Sequence, residues 1–286
     1  MMLLRIFRRS MNGMNRNNVI TVIRVTIALV CWFAAAKLYG VFIDPLLEGV
    51  LPDHLRMILS SMVVPYTIGL VLFFIVTAGM ARKDAVDIAE GEMVKPDAGK
   101  MVKFFVIQTG LSYPCMVAAS IVSKIFGFEL SGITSDELFG NLWFYIALLL
   151  VFNPVFEELL FRKFVLERLG CLGMKGAVIC SAVMFSLPHV ISQGPAQMLY
   201  TFALGLVWAY VTVKTGKLWP AVVLHSLSNV YGAFIPMALG KIHPLASAPF
   251  VMLTMMVMLP LTIIMLTKKK EEQGTVTFPP FPGSSE

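Results

Sequence analysis

The sequence predicts an all-α, polytopic membrane protein with about eight transmembrane helices and both termini cytoplasmic, on three observations. The 286-residue chain is 57% hydrophobic and 14% charged, with a mean hydropathy of +0.79. Soluble domains average about 45–50% apolar and about 25% charged residues. Long apolar runs recur along the whole chain, and Lys and Arg collect in alternate connections between them, as they do in cytoplasmic loops.

The runs cover residues 19–43, 57–80, 101–126, 141–162, 176–190, 196–213, 218–236 and 248–267. Each is close to the roughly 20 helical residues needed to cross a hydrocarbon core, and the fifth and sixth are the shortest. Arg5, Arg8, Arg9 and Arg16 precede the first run. "FAAAK" at Phe33 to Lys37 imitates a signal-peptidase site, but the run before it is long and contains Trp32, so an uncleaved helix is expected. Arg82, Lys83, Lys95, Lys100 and Lys103 join the second run to the third, and Arg162, Lys163, Arg168 and Lys175 join the fourth to the fifth. Lys214 and Lys217 join the sixth to the seventh, and Lys268, Lys269 and Lys270 follow the eighth. The opposite connections hold only Arg56, Lys241 and the helix-end residues Lys37 and Lys124.

This gives a basic N-terminus at 1–18, three helices with their loops at 19–140, a core of helices four to seven at 141–236, a last helix within 237–267, and a tail at 268–286. Residues 84–100 read as a solvated connection or a short surface helix. The tail, rich in Pro, Gly and Ser, is expected to be disordered. The net charge of +6 fits basic loops against anionic lipid headgroups, and no interleaving of aromatic and basic residues argues for nucleic acid. Cys31, Cys115, Cys171 and Cys180 are scattered without a C-x-x-C pair, which speaks against a disulfide framework or a thiolate zinc site.

Ionisable groups are costly inside a bilayer and rare there, yet three polar clusters fall in the second half of the chain. In "NPVFEELLFRKF", Asn153 to Phe164, Glu158 and Arg162 are four residues apart and can pair on one helix face, while Glu157 projects about 100° away. Pro154 can kink the helix one turn upstream. The alternative is a helix end at the interface with solvated Glu and snorkelling Arg and Lys. "FSLPHV" places Phe185 and His189 four apart, where the imidazole can exchange a proton, ligate a metal or simply pack. "HSLSN" places His225 and Asn229 four apart, two donors on one face, suited either to a developing oxyanion or to an interhelical clamp. Arg24 and Gln108, in the first and third runs, read as isolated. Two carboxylates, an Arg, two His and an Asn on neighbouring helices point to a reaction site.

"EELLFR", "FSLPH" and "HSLSN", in that order, resemble the motifs of the CPBP intramembrane proteases. That family includes type II CAAX prenyl endopeptidases and bacterial relatives linked to bacteriocin self-immunity. The resemblance covers about residues 141–235; Lys163 stands where many relatives have Gly. It implies hydrolysis of a membrane-associated peptide or protein by a multi-pass protein of the cell membrane, bacterial in origin. Glu157 is then the general base that activates water, with His189 as its partner. Glu158 and Arg162 buttress the site, and His225 and Asn229 stabilise the oxyanion. No cofactor is required on this reading. The metal-dependent alternative makes Glu157, His189 and His225 three zinc ligands, without an H-E-x-x-H helix to support it. A proton-coupled transporter and a non-catalytic immunity or scaffold protein are the competing functions.

Overall fold

In the computed structural model, residues 15–127, 132–195 and 197–274 are described, and all regular structure among them is helical. The basic residues Arg5, Arg8 and Arg9 and the last part of the tail lie outside that set. Among the described residues, seven unbroken helical stretches are long and apolar enough to cross a membrane. We label the long helices α1 (Arg16–Leu47), α2 (Asp53–Val76), α3 (Ala98–Phe126), α4 (142–172), α5 (Gly173–Gln193), α6 (Gln197–Thr215), α7 (Trp219–Ile242) and α8 (Ser247–Gly274). α4 and α5 together make one stretch of 52 residues, about twice the length of one crossing. Gly173, at φ 71°, divides it. The division is a reversal of direction: Arg162 Nη1 lies 2.8 Å from Ser181 Oγ, atoms that a straight helix would hold about 28 Å apart at 1.5 Å per residue. The fourth and fifth predicted helices are therefore both present, joined by a tight turn.

α6 is the central helix. It packs on α5, α3 and α7, while α1 packs on α2 and α8 on α3. In α6, 67% of the most apolar window is buried in protein, against 11% in α8. A helix surrounded by other helices needs small and polar contact groups rather than uniform lipophilicity, which explains why its apolar run looks short. Gly205 supplies the close approach, since a Cβ there would meet Ala182 Cα at 3.2 Å.

One expectation about the connections is corrected. Arg168 does not lie in a loop: α4 continues past it and it is 6% exposed, while Arg162, on the fourth helix as expected, is 1% exposed. Glu158 balances the charge of Arg162, and the Arg168 guanidinium packs against the rings of Phe73 and Phe74. Of the two readings of the 84–100 segment, the short helix is the one found, over Ala85–Ile88. Ala85 and Ile88 are buried in it, and the buried ammonium of Lys214 donates to the carbonyls of Glu90 and Glu92. At the other end of the bundle two of the basic residues are ion-paired, Arg56 with Asp44 at 2.7 Å and Lys241 with Asp136 at 2.6 Å, and Lys37 lies over the Phe33 ring. The Lys241 ammonium holds the Asp136 carboxyl below its usual range. α8 continues to Gly274, into the tail expected to be disordered, because Lys, Glu and Gln at 268–273 are good helix formers. Residues 275–286 of that tail lie outside the described set.

Candidate active site

The local chemistry of α4 starts from Pro154. Proline has no N–H, so it cannot donate to the carbonyl four residues back (Leu150) or, in the π-helical spacing found over Ala147–Phe152, five back (Leu149). Both carbonyls are taken by α7. Asn229 Nδ2 donates to Leu149 O at 2.6 Å, and Ser226 Oγ lies 2.8 Å from Leu150 O. "NPVFEE" and "HSLSN" are thus locked together by a backbone defect in one and side-chain donors in the other. Asn229→Leu is expected to cost about 1–3 kcal/mol by leaving Leu149 O unpaired in apolar surroundings. In a Pro154→Ala background the restored N–H can take over, and the cost should fall by at least half. Thermal unfolding of the four proteins measures this, and additive effects would contradict the coupling.

One turn on, Glu158 is fully buried between two partners. Its Oε2 accepts from Arg162 Nε at 2.8 Å and its Oε1 from His225 Nδ1 at 3.0 Å. Arg162 reaches onward to Ser181 Oγ at 2.8 Å, Ser181 donates to Phe161 O, and the guanidinium lies 5.0 Å from the Phe185 ring centre. The i,i+4 pair expected from spacing is therefore formed, inside the protein rather than at an interface.

Glu157 points into the same space. Its Oε2 is buried, has no hydrogen-bond partner, and lies 4.0 Å from His225 Nε2. His225 thus faces both glutamates, one through each ring nitrogen. Because Glu158 accepts at Nδ1, a neutral ring carries its proton there and turns the Nε2 lone pair to Glu157.

The His225 ring is fixed by packing. It stacks on Trp208 at 4.2 Å with an 18° interplanar angle, and meets Phe185 edge-on at 6.1 Å. Trp208 Nε1 donates to Gln108 Oε1 at 2.7 Å, and Gln108 Nε2 donates to Leu224 O at 3.0 Å, beside His225 in the chain. Gln108 is therefore not isolated: it ties α3 to the indole and the backbone that hold His225. Spacing along one helix could not show this, because the partners lie 100 and 116 residues away. The only signal was an amide in the middle of an apolar run.

His189 reaches this region through Phe185, with ring centres 4.8 Å apart, and its Nδ1 lies 2.9 Å from Phe185 O. A carbonyl can only accept, so Nδ1 carries the proton and Nε2 is left to exchange one. The structure thus gathers Glu157, Glu158, Arg162 and His225 directly, sets His189 one aromatic ring away, and turns Asn229 onto the backbone of α4. Among the described residues no group of three His, Cys, Asp or Glu side chains is arranged to hold a metal ion. The three-ligand zinc centre therefore does not fit the side chains as they stand.

Beside the glutamates, Phe152 and Phe156 stack at 4.3 Å, and Tyr66 of α2 packs on both. These residues line an open apolar groove of about 300 Å³ together with Ile58, Met62 and Val63.

The chain matches no curated protein and no solved structure. Residues 139–231, which hold both glutamates, both histidines and the Pro154 clamp, match the family described as type II CAAX prenyl endopeptidase Rce1-like, so this third of the chain is similar to that family.

Proposed function

We propose that the protein cleaves a peptide bond of a membrane-associated substrate by direct attack of a water activated by Glu157. The 4.0 Å spacing between the unpartnered Glu157 Oε2 and His225 Nε2 carries this reading. It is too long for a direct hydrogen bond, but one water about 2.8 Å from each atom can bond to both. Glu157 takes a proton as the water oxygen adds to the substrate carbonyl carbon, and the carbonyl π pair moves onto oxygen. His225 in its imidazolium form, held through Nδ1 by Glu158, donates from Nε2 to that oxyanion, and the second N–H of Asn229 is a further donor. Collapse of the intermediate expels the amine, which receives the proton held by Glu157, with His189 Nε2 as the group that passes it. Arg162, ion-paired with Glu158, holds that carboxylate against His225 Nδ1 throughout. No step runs through zinc and no Ser or Cys nucleophile takes part.

The substrate lies in the membrane and presents its scissile bond to this site, either as a CAAX-type prenylated protein or as a peptide precursor. We place the protein in the cell membrane with both termini in the cytoplasm, following the basic connections.

The purified protein in lipid nanodiscs, given a quenched library of membrane-anchored peptides with and without a prenyl group, should cleave at least one class and continue in a zinc chelator. Loss of cleavage in chelator would replace this mechanism with the metal-dependent one. A folded protein that cleaves nothing would favour the immunity or scaffold role, or proton-coupled transport.

A further inference from the structure

A second polar site lies at the end of the bundle where α1 begins and where α2 and α4 end. There a pocket of about 180 Å³ is lined by Ile20 and Arg24 of α1, Arg82 and Lys83 after α2, and Glu167 and Arg168 of α4, among others. Four cations face one carboxylate, and that carboxylate is already engaged by Lys163 at 2.6 Å. Two of the cations are fixed in place. Arg24 donates from Nη2 to the carbonyls of Val76 and Ala78, 2.9 and 3.0 Å away at the end of α2. Arg168 is 94% buried, as its 6% exposure shows. It donates from Nη1 to Phe164 O, and its Nε has no hydrogen-bond partner. The side chains of Arg82 and Lys83 at the pocket rim are exposed.

The buried Arg168 guanidinium is held by a carbonyl and two aromatic rings, and the one carboxylate of the pocket, Glu167, is shared with Lys163, so among the described residues the pocket carries excess positive charge. The reaction site does not use this charge. The pocket is smaller than the roughly 300–1,000 Å³ of sites that enclose a whole small molecule, so it suits an anionic group rather than a complete ligand. From Ile20 at its edge, an exposed stripe continues along α1 through Ile23, Ile27 and Val30. The spacing of three and four residues puts these on one helix face. A headgroup cavity opening onto an apolar stripe matches a phospholipid.

We propose that this pocket binds the phosphate of an anionic phospholipid whose acyl chain lies along Ile20, Ile23, Ile27 and Val30. The site is independent of the protease mechanism, and its test does not read activity. Native mass spectrometry and thermal unfolding are performed on the full chain reconstituted with phosphatidylcholine alone or with added phosphatidylglycerol. Phosphatidylglycerol should remain bound and raise the unfolding midpoint. Arg82→Gln/Lys83→Gln, which alters only rim residues, should weaken that binding about thirty-fold, at about fivefold per charge removed. Lys95→Gln/Lys100→Gln, with the same loss of charge between α2 and the first turn of α3, should bind like the unaltered protein. Equal weakening in both variants would reduce the effect to diffuse surface charge and overturn the site. The same stabilisation by inorganic phosphate in phosphatidylcholine would show a soluble-anion site and overturn the lipid assignment. Absence of any phosphatidylglycerol effect would overturn both.

Discussion

Glu157→Gln is expected to lower turnover by about 10²–10⁴-fold, the contribution of a positioned general base, while leaving the unfolding midpoint nearly unchanged. The two halves of that expectation have one cause. Glu157 Oε2 has no hydrogen-bond partner, so replacing it by an amide of the same shape breaks no contact that holds the helices. It does remove the lone pair that takes the proton from water. Turnover by wild type and variant in the same nanodiscs, with circular dichroism as the control on folding, measures both. A variant that retains most of its turnover would remove Glu157 from the chemistry.

Arg162→Met should show the opposite balance. Glu158 and Arg162 are both fully buried side chains 2.8 Å apart. Removing one partner of such a pair costs about 3–5 kcal/mol, because the other charge is left without compensation in a medium of low dielectric. Ser181 also loses its contact with the guanidinium. On the scale of soluble domains this is a fall of roughly 10 °C in unfolding midpoint. The double variant Glu158→Gln/Arg162→Met removes both charges and should recover much of that stability, since well-packed neutral groups of similar volume are tolerated in place of a buried pair. It should not recover activity, because His225 then lacks the carboxylate at Nδ1. A double variant no more stable than Arg162→Met would show that the guanidinium acts through packing on Phe185 rather than through its charge.

How much of this was legible in the sequence follows from how local each interaction is. The membrane class and the helical runs depend on composition and on windows of about 20 residues, and both emerge directly. The Glu158–Arg162 pair depends on 3.6 residues per turn and was equally readable. The angular separation of Glu157 from Glu158 is also a local property, but it did not reveal that one imidazole on α7 faces both glutamates. That contact joins residues 67 positions apart.

The same limit hid Gln108, whose partners Trp208 and Leu224 lie on α6 and α7. It also hid the meaning of Pro154, whose missing N–H is offset from α7 rather than by its own helix. Arg168 reads as part of a connection in the sequence because charge usually marks the end of a membrane helix, which would end at Arg162. Here an ion pair and aromatic rings carry the charge inward, and the helix continues to Leu172.

The most direct test of the water-attack mechanism is a single turnover in ¹⁸O-labelled water, with the protein quenched during the reaction and both protein and product weighed by mass spectrometry. Direct attack by a Glu157-activated water predicts one ¹⁸O in the new carboxylate, no mass added to the protein at any time, and loss of labelled product in Glu157→Gln. A substrate fragment covalently attached to the protein, or labelled product formed by Glu157→Gln at the wild-type rate, would contradict it.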